Sequence, residues 1–252
     1  MISKIKLIIS EIIHKINYLP KKDENFLINK IINQIKVKGY YKIPSFLDEK
    51  ECDLLIEKYI AFAKNNPEKV SVESNGCDNR IYGIDRFDKS FYIDKVNEIG
   101  DAVFNKFSFK NSSDHFTLFG NIISGEKNLG SGSGWHRDSP FRHQFKTIIY
   151  LSDVEEENGP FEYIEKSHTY SNVLKTGKHL KKKLNDFRFS NDEINKAINA
   201  SSQLKSIKFT APKGTLLFVD VRGLHRGAPL QKGERFAITR YYMSSNSKKF
   251  IK

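Results

Sequence analysis

Hydrophobic positions change texture partway along this chain of 252 residues. Early on they recur at helical spacing. Ile5, Ile8, Ile9, Ile12, Ile13 and Ile16 fall on one helical face, and that run stops before Pro20. A second periodic segment, residues 26–35, closes near Gly39, after which "GYYKIP" reads as a short strand and turn. Asp48 is a good N-cap and Glu51 completes a capping box, so a helix follows with Leu54, Leu55, Tyr59 and Phe62 on one face. Residues 66–90 are polar and read as loop, and residues 92–107 as a further helix.

From there the pattern shortens. "HFTLFGNIIS", "KTIIYLSDV", "GPFEYIE", "IKFTA", "GTLLFVDV" and "RFAITRYYM" are β-branched and aromatic runs separated by Gly, Pro, Ser or Asp. Helices first and strands later predict a mainly β fold, a sandwich or barrel with flanking helices, rather than an alternating βαβ sheet. Residues 167–202 interrupt the strands. They hold the basic stretch "KTGKHLKKKLND" and a helical "SNDEINKAINASS", and an interruption of this length is expected to be a functional lid or a disordered insert.

Composition narrows the picture modestly. The net charge of +12 favours an anionic partner without choosing one, and part of it reflects the Lys, Ile and Asn bias of an AT-rich coding sequence. Two cysteines, Cys52 and Cys77, exclude a disulfide framework and a CxxC zinc site, which makes a reducing cytoplasm the expected location. Lys4, Lys6, Glu11, His14 and Lys15 break up the N-terminal apolar run, so neither a signal peptide nor a membrane span is expected. No zinc finger, aromatic RNA-binding motif or basic recognition helix is present, and a nucleic-acid partner is not expected.

The candidate chemistry centres on "SGSGWHRDSPF". On an extended segment His136 and Asp138 point to the same side. An imidazole and a carboxylate so placed suit a ferrous ion held by two His and one acid. With 7 His and 30 acidic residues, roughly one His-x-acid match is expected by chance, so context must decide. His225, after the apolar run "GTLLFVDV", is the candidate second imidazole; His115, His143, His168 and His179 are its rivals. Arg235 follows ten residues later and can clamp a carboxylate bidentately. Arg240 competes for that role, but five residues along a strand put the two on opposite faces.

In this order "GWHRD", "NGPFEYIEKSH", "PKGTLLFVDVRGLHRGAP" and "ERFAITRYY", with "KGYYKIPSFLDEKECDLL" upstream, resemble the phytanoyl-CoA dioxygenase family of Fe(II)- and 2-oxoglutarate-dependent oxygenases. One departure stands out: Glu165-Lys166-Ser167-His168 where the family often has Pro-Gly-Ser-His. The resemblance implies a double-stranded β-helix, a cupin-like jelly-roll, over residues 38–245. A helical extension, 1–37, would precede it, and the basic insert would span about 167–205. His136, Asp138 and His225 would hold Fe(II), and Arg235 would anchor 2-oxoglutarate. O2 would be the second co-substrate, and a substrate C–H bond would be oxidised. Related halogenases lack the carboxylate, so Asp138 points to hydroxylation or desaturation rather than halogenation.

Asn121 and Thr147 are candidate further contacts to 2-oxoglutarate. His143 and the lysines Lys175, Lys178, Lys181, Lys182 and Lys183 are candidate contacts to a small anionic substrate such as an acyl thioester, a sugar or sugar nucleotide, or a phosphorylated or phosphonate compound. Two alternatives stay open: a non-catalytic metal-containing jelly-roll that binds an acidic polymer, and the same site performing desaturation or epimerisation.

Overall fold

The computed structural model describes residues 5–9, 12, 25–73, 76–108, 114–125, 128–141 and 144–243. Most of the helix expected before Pro20 lies outside them, and so does His143.

Helix α1 (Phe26–Lys38) starts where the Asn25 side chain accepts from the Ile28 amide and stops at Gly39 in the left-handed conformation. Strand β1 (Tyr40–Ile43) follows directly. Helix α2 (Glu49–Asn65) begins with the expected capping box between Asp48 and Glu51. Residues 66–90, expected as loop, instead hold β2 (Ser71–Glu73), β3 (Asp78–Tyr82) and the short helix α3 (Ile84–Phe87). Strand β3 escapes a hydrophobicity reading because Asp78 and Arg80, which share one face of it, are a buried ion pair. Helix α4 (Asp94–Ser108) matches the helix expected at 92–107.

The strands β4 (Asp114–Ile123), β5 (Gln144–Tyr150), β6 (Phe161–Glu165), β7 (Lys205–Phe209), β8 (Leu216–Val219), β9 (His225–Gly227) and β10 (Glu234–Met243) build two antiparallel sheets. The larger runs β1-β8-β5-β10-β4-β3-β2 and the smaller β7-β6-β9. This is the mainly β fold with flanking helices expected from the strand texture, and the jelly-roll that the family resemblance implied.

Both faces of the large sheet are covered, so its strands read as continuous apolar runs. Phe145, Ile149, Phe218, Phe236 and Ile238 form the face toward the helices, in one core with Ile28, Ile31, Ile32 and Ile35 of α1. Ile148, Tyr150, Leu217 and Val219 point the other way and pack on Phe161, Tyr163 and Phe209 of the small sheet. The alternation rule therefore sorts every strand residue into helix-facing or interior-facing.

The insert holds two helices where the sequence pattern indicated one: α5 (Tyr170–His179), capped by Thr169, and α6 (Asn191–Asn199), capped by Ser190 with Glu193. Helix α6 docks through Ile194 and Ala197 against Trp135, Ile164, Leu204 and Leu224. Among the described residues no helix is long and apolar enough to cross a membrane.

Lys166 sits at φ 64°, in the left-handed region, at the place where the family pattern usually has Gly. A side chain there costs about 1 kcal/mol, partly offset by the greater freedom glycine has when unfolded. Lys166→Gly is expected to raise stability by about 0.5–1 kcal/mol in urea unfolding.

Candidate metal and co-substrate site

The local backbone explains how three polar side chains meet. Residues 135–138 run as an irregular extended segment beside β9. The His136 amide donates to the His225 carbonyl at 2.9 Å, and the His225 amide donates back to the His136 carbonyl at 2.8 Å. The Asp138 amide donates to the Val221 carbonyl at 3.0 Å. His225 thus opens a strand of the small sheet rather than trailing the apolar strand before it. The intervening turn is fixed by the buried Asp220–Arg222 ion pair, with Nη2 to Oδ2 at 2.6 Å, and by the Tyr163 hydroxyl donating to the Asp220 carbonyl.

The two imidazoles are oriented alike. His136 Nδ1 lies 2.8 Å from the Gly134 carbonyl, and His225 Nδ1 lies 2.9 Å from the Gly223 carbonyl. A carbonyl only accepts, so each Nδ1 carries a proton and each Nε2 is the nitrogen turned toward Asp138. Those Nε2 atoms lie 3.4 and 3.5 Å from Asp138 Oδ1. One ligand atom from each of the three residues falls within 4.8 Å of the others, a cluster able to hold a metal ion.

The electrostatics keep the donors ready. Burial, then the nearby Lys146 and His136, push His225 down to about 3, so it is neutral. Burial alone would raise the Asp138 carboxyl, but Lys146 and the two imidazoles outweigh it and hold the group well below its ordinary value. A neutral imidazole at His225 and an ionised carboxylate at Asp138 are the protonation states metal binding requires.

The collar before His136 is a structural requirement. Gly132 has φ 82°, and a Cβ there would stand 2.4 Å from the His136 ring. Only glycine both turns the chain and leaves the imidazole its place.

These groups line a cavity of about 210 Å³ in the jelly-roll interior, together with Gly120, Ala237 and Thr239. Arg235 is 5 % exposed and lines it too. Its Nε and Nη1 have no hydrogen-bond partner among the described residues, an arrangement that calls for an anion. Arg240 faces the helices as alternation requires, bonded to Asp85 at 3.1 Å and Thr117 at 2.8 Å.

Other expectations fare differently. Asn121 and Thr147 lie on the helix-facing side, in register with Phe236 and Arg240 respectively, and neither lines the cavity. Both strands are buried on both faces, so composition gave no phase for them. None of the five insert lysines lines the cavity either. Lys175 and Lys178 border a separate groove between α5 and α6, and Lys182 is bound to Glu193 and the Arg188 carbonyl. The insert residue that reaches the mouth is Arg188, whose guanidinium donates to the carbonyls of Gly132 and Ser133. His168 is buried elsewhere, 3.1 Å from the Lys36 carbonyl.

Among the cavity residues that sequence reasoning missed are, besides Arg188, Arg80, Lys146 and Tyr150. Arg80 is compensated by Asp78 and Glu73 and donates to Ser131 Oγ at 3.1 Å. Tyr150 donates to the Phe209 carbonyl and accepts from the Phe161 amide. Lys146 lies 2.9 Å from His225 Nε2 and 3.7 Å from Asp138 Oδ2. A charge in an otherwise apolar strand, in phase with Ile148 and Tyr150, was the signal that could have found it.

Two imidazoles and a carboxylate converging inside a jelly-roll define a class, the non-haem iron oxygenases with one face of the metal left open. The chain belongs to the phytanoyl-CoA dioxygenase (PhyH) family, whose model matches residues 35–235. That family uses Fe(II), 2-oxoglutarate and O2, and the chain is an oxygenase of this kind. No curated protein matches the chain significantly. Solved structures share the fold at low identity. The epimerase SnoN of nogalamycin biosynthesis, in complex with Fe3+, alpha ketoglutarate and nogalamycin RO, superposes with TM-score 0.60 at 14% identity, covering 87% of this chain and 84% of that one. HygX from Streptomyces hygroscopicus, with nickel and 2-oxoglutarate bound, gives 0.60 at 13% identity, covering 86% and 87%. A Pseudomonas putida prolyl-4-hydroxylase gives 0.55 at 12% identity, covering 86% and 99%.

The two arginines of β10 should separate in stability measurements. Arg240→Leu leaves Asp85 buried without its cation and is expected to cost about 3 kcal/mol in urea unfolding. Arg235→Leu removes a buried charge that has no carboxylate bound to it, and its effect is expected to stay within about 1 kcal/mol.

Proposed function

We propose that His136, Asp138 and His225 hold Fe(II), that Arg235 binds the distal carboxylate of 2-oxoglutarate, and that the enzyme hydroxylates a small anionic metabolite. The observation that carries this reading is the shared cavity: three metal-ready ligand atoms and an arginine with unpartnered buried donors open onto the same space. When bound, the metal and 2-oxoglutarate supply the oxidising chemistry. The chain's own part is to orient and to exclude water. Backbone carbonyls at Gly134 and Gly223 fix both imidazole tautomers. Ile148, Phe161 and Ala237 give the interior apolar walls that keep the reacting centre dry.

The donor set fits the group. Two nitrogen donors and one oxygen donor suit ferrous iron, and three protein ligands leave coordination positions for co-substrate. A closed structural zinc site would bring four ligands, so a non-catalytic binding module accounts for the site poorly. Asp138 supports hydroxylation over halogenation. An epimerase among the solved structures of this fold keeps a different outcome at the same centre as the second reading.

Under anaerobic conditions, Fe(II) with 2-oxoglutarate is expected to give the weak visible charge-transfer band of the chelate. Full iron loading without that band would refute the proposal. Arg235→Ala is expected to weaken 2-oxoglutarate binding about 100-fold, the loss of a bidentate charge-assisted contact, while iron binding alone is retained. Equal weakening by Arg240→Ala would reverse the facing argument.

A further inference from the structure

We propose that a stripe of isoleucines, Ile5, Ile8, Ile9 and Ile12, docks this protein on the surface of a bilayer that carries anionic phospholipid. The stripe lies outside the metal and co-substrate site, and the docking does not depend on the oxygenase chemistry.

Burial is inverted on this helix. Residues 5–9 and 12 are helical. At about 100° per residue the four isoleucines share an arc of about 100°, and Leu7 stands about 150° from its middle. Leu7 is 1 % exposed, whereas Ile5, Ile8, Ile9 and Ile12 are 47, 40, 50 and 50 % exposed. The same i, i+3, i+4, i+7 spacing recurs in α1 as Ile28, Ile31, Ile32 and Ile35, and there all four are buried. A surface helix held only by the core turns its apolar stripe inward, as α1 does. The earlier helix turns its stripe outward. Apolar side chains exposed singly are ordinary, but four along one stripe form a continuous apolar surface of the kind that marks a contact with another phase or molecule.

Charge selects the occupant. Lys6 is exposed and lies about 60° beyond Ile9 around the helix, at the margin of the stripe. In the sequence, residues 1–16 hold Lys4, Lys6 and Lys15 against a single acid, Glu11, and the whole chain carries +12. A second copy of the chain would bring like charge to like charge across the stripe. An anionic bilayer surface supplies both complements, an apolar boundary for the isoleucines and phosphate for the ammonium groups. Lysine stems can lie along the apolar margin with their heads among the phosphates. Among the described residues no helix is able to cross a bilayer, so the helix lies in the plane of the surface.

The test is flotation of the full chain with two kinds of vesicle, phosphatidylcholine alone and an equimolar mixture of phosphatidylcholine and phosphatidylglycerol. Binding to the mixed vesicles is expected, with roughly tenfold weaker binding to phosphatidylcholine alone. Ile9→Asp is expected to weaken binding to the mixed vesicles by roughly tenfold or more, because it sets a carboxylate in the apolar face. Val72 is 60 % exposed on β2, and Val72→Asp makes the same charge change away from the stripe, so it should bind nearly as the wild type does. If Ile9→Asp misfolds by circular dichroism, Ile9→Ser takes its place. The proposal is overturned if the mixed vesicles do not bind the wild type, if both kinds of vesicle bind it equally, or if Ile9→Asp binds no worse than Val72→Asp. A wild-type dimer in sedimentation that Ile9→Asp dissociates, with no vesicle binding, would assign the stripe to a second copy instead.

Discussion

Two backbone hydrogen bonds exchanged between His136 and His225 are the constraint on which the site depends. The residues lie 89 positions apart in the chain. Their pairing brings both imidazoles to one side of one ladder, and carbonyls two residues earlier on each segment set both rings in the same tautomer. A ligand pair positioned by main-chain bonds does not rely on side-chain packing for its spacing. The carboxylate is placed by the same ladder, through the Asp138 amide and the Val221 carbonyl.

The sheets around this ladder solve a second problem, how to keep charge inside a barrel. Interior-facing positions hold Asp78, Arg80, Lys146 and Arg235, while helix-facing positions hold Arg240, paired with Asp85. The charges that brace the fold come with partners inside the chain. Arg235 instead keeps donors unspent, and Lys146 is matched only by the groups of the metal site. This contrast separates charges paired within the fold from those turned to the cavity in a protein whose sequence offers 42 basic residues.

Legibility in the sequence followed the same division. Capping residues made α1 and α2 readable, and β-branched runs made the later strands readable, because those signals are local. The candidate metal cluster was legible because His-x-Asp, a later His and an Arg stand in an order, among flanking motifs, that resembles a known family. Strand β3 was not legible, since its interior side is charged, and Asn121 and Thr147 were misjudged because strands covered on both faces carry no alternation. The lysine run drew attention by its density, yet the cation of the insert that reaches the cavity is a single arginine, and only tertiary contacts reveal that.

The insert is tied into the ladder as well. The Arg137 amide donates to the Phe187 carbonyl, and the Phe189 amide donates to the Trp135 carbonyl, so Arg188 forms an isolated antiparallel bridge with His136. A flap hinged on its own loops could swing clear of the barrel; this one cannot lift without pulling on the segment that carries His136. The Arg188 side chain adds a second tie, from its guanidinium to the carbonyls of Gly132 and Ser133 in the collar. The inner edge of the insert is thereby held to the geometry of the His136–Asp138–His225 cluster, while its helices α5 and α6 lie outside that ladder.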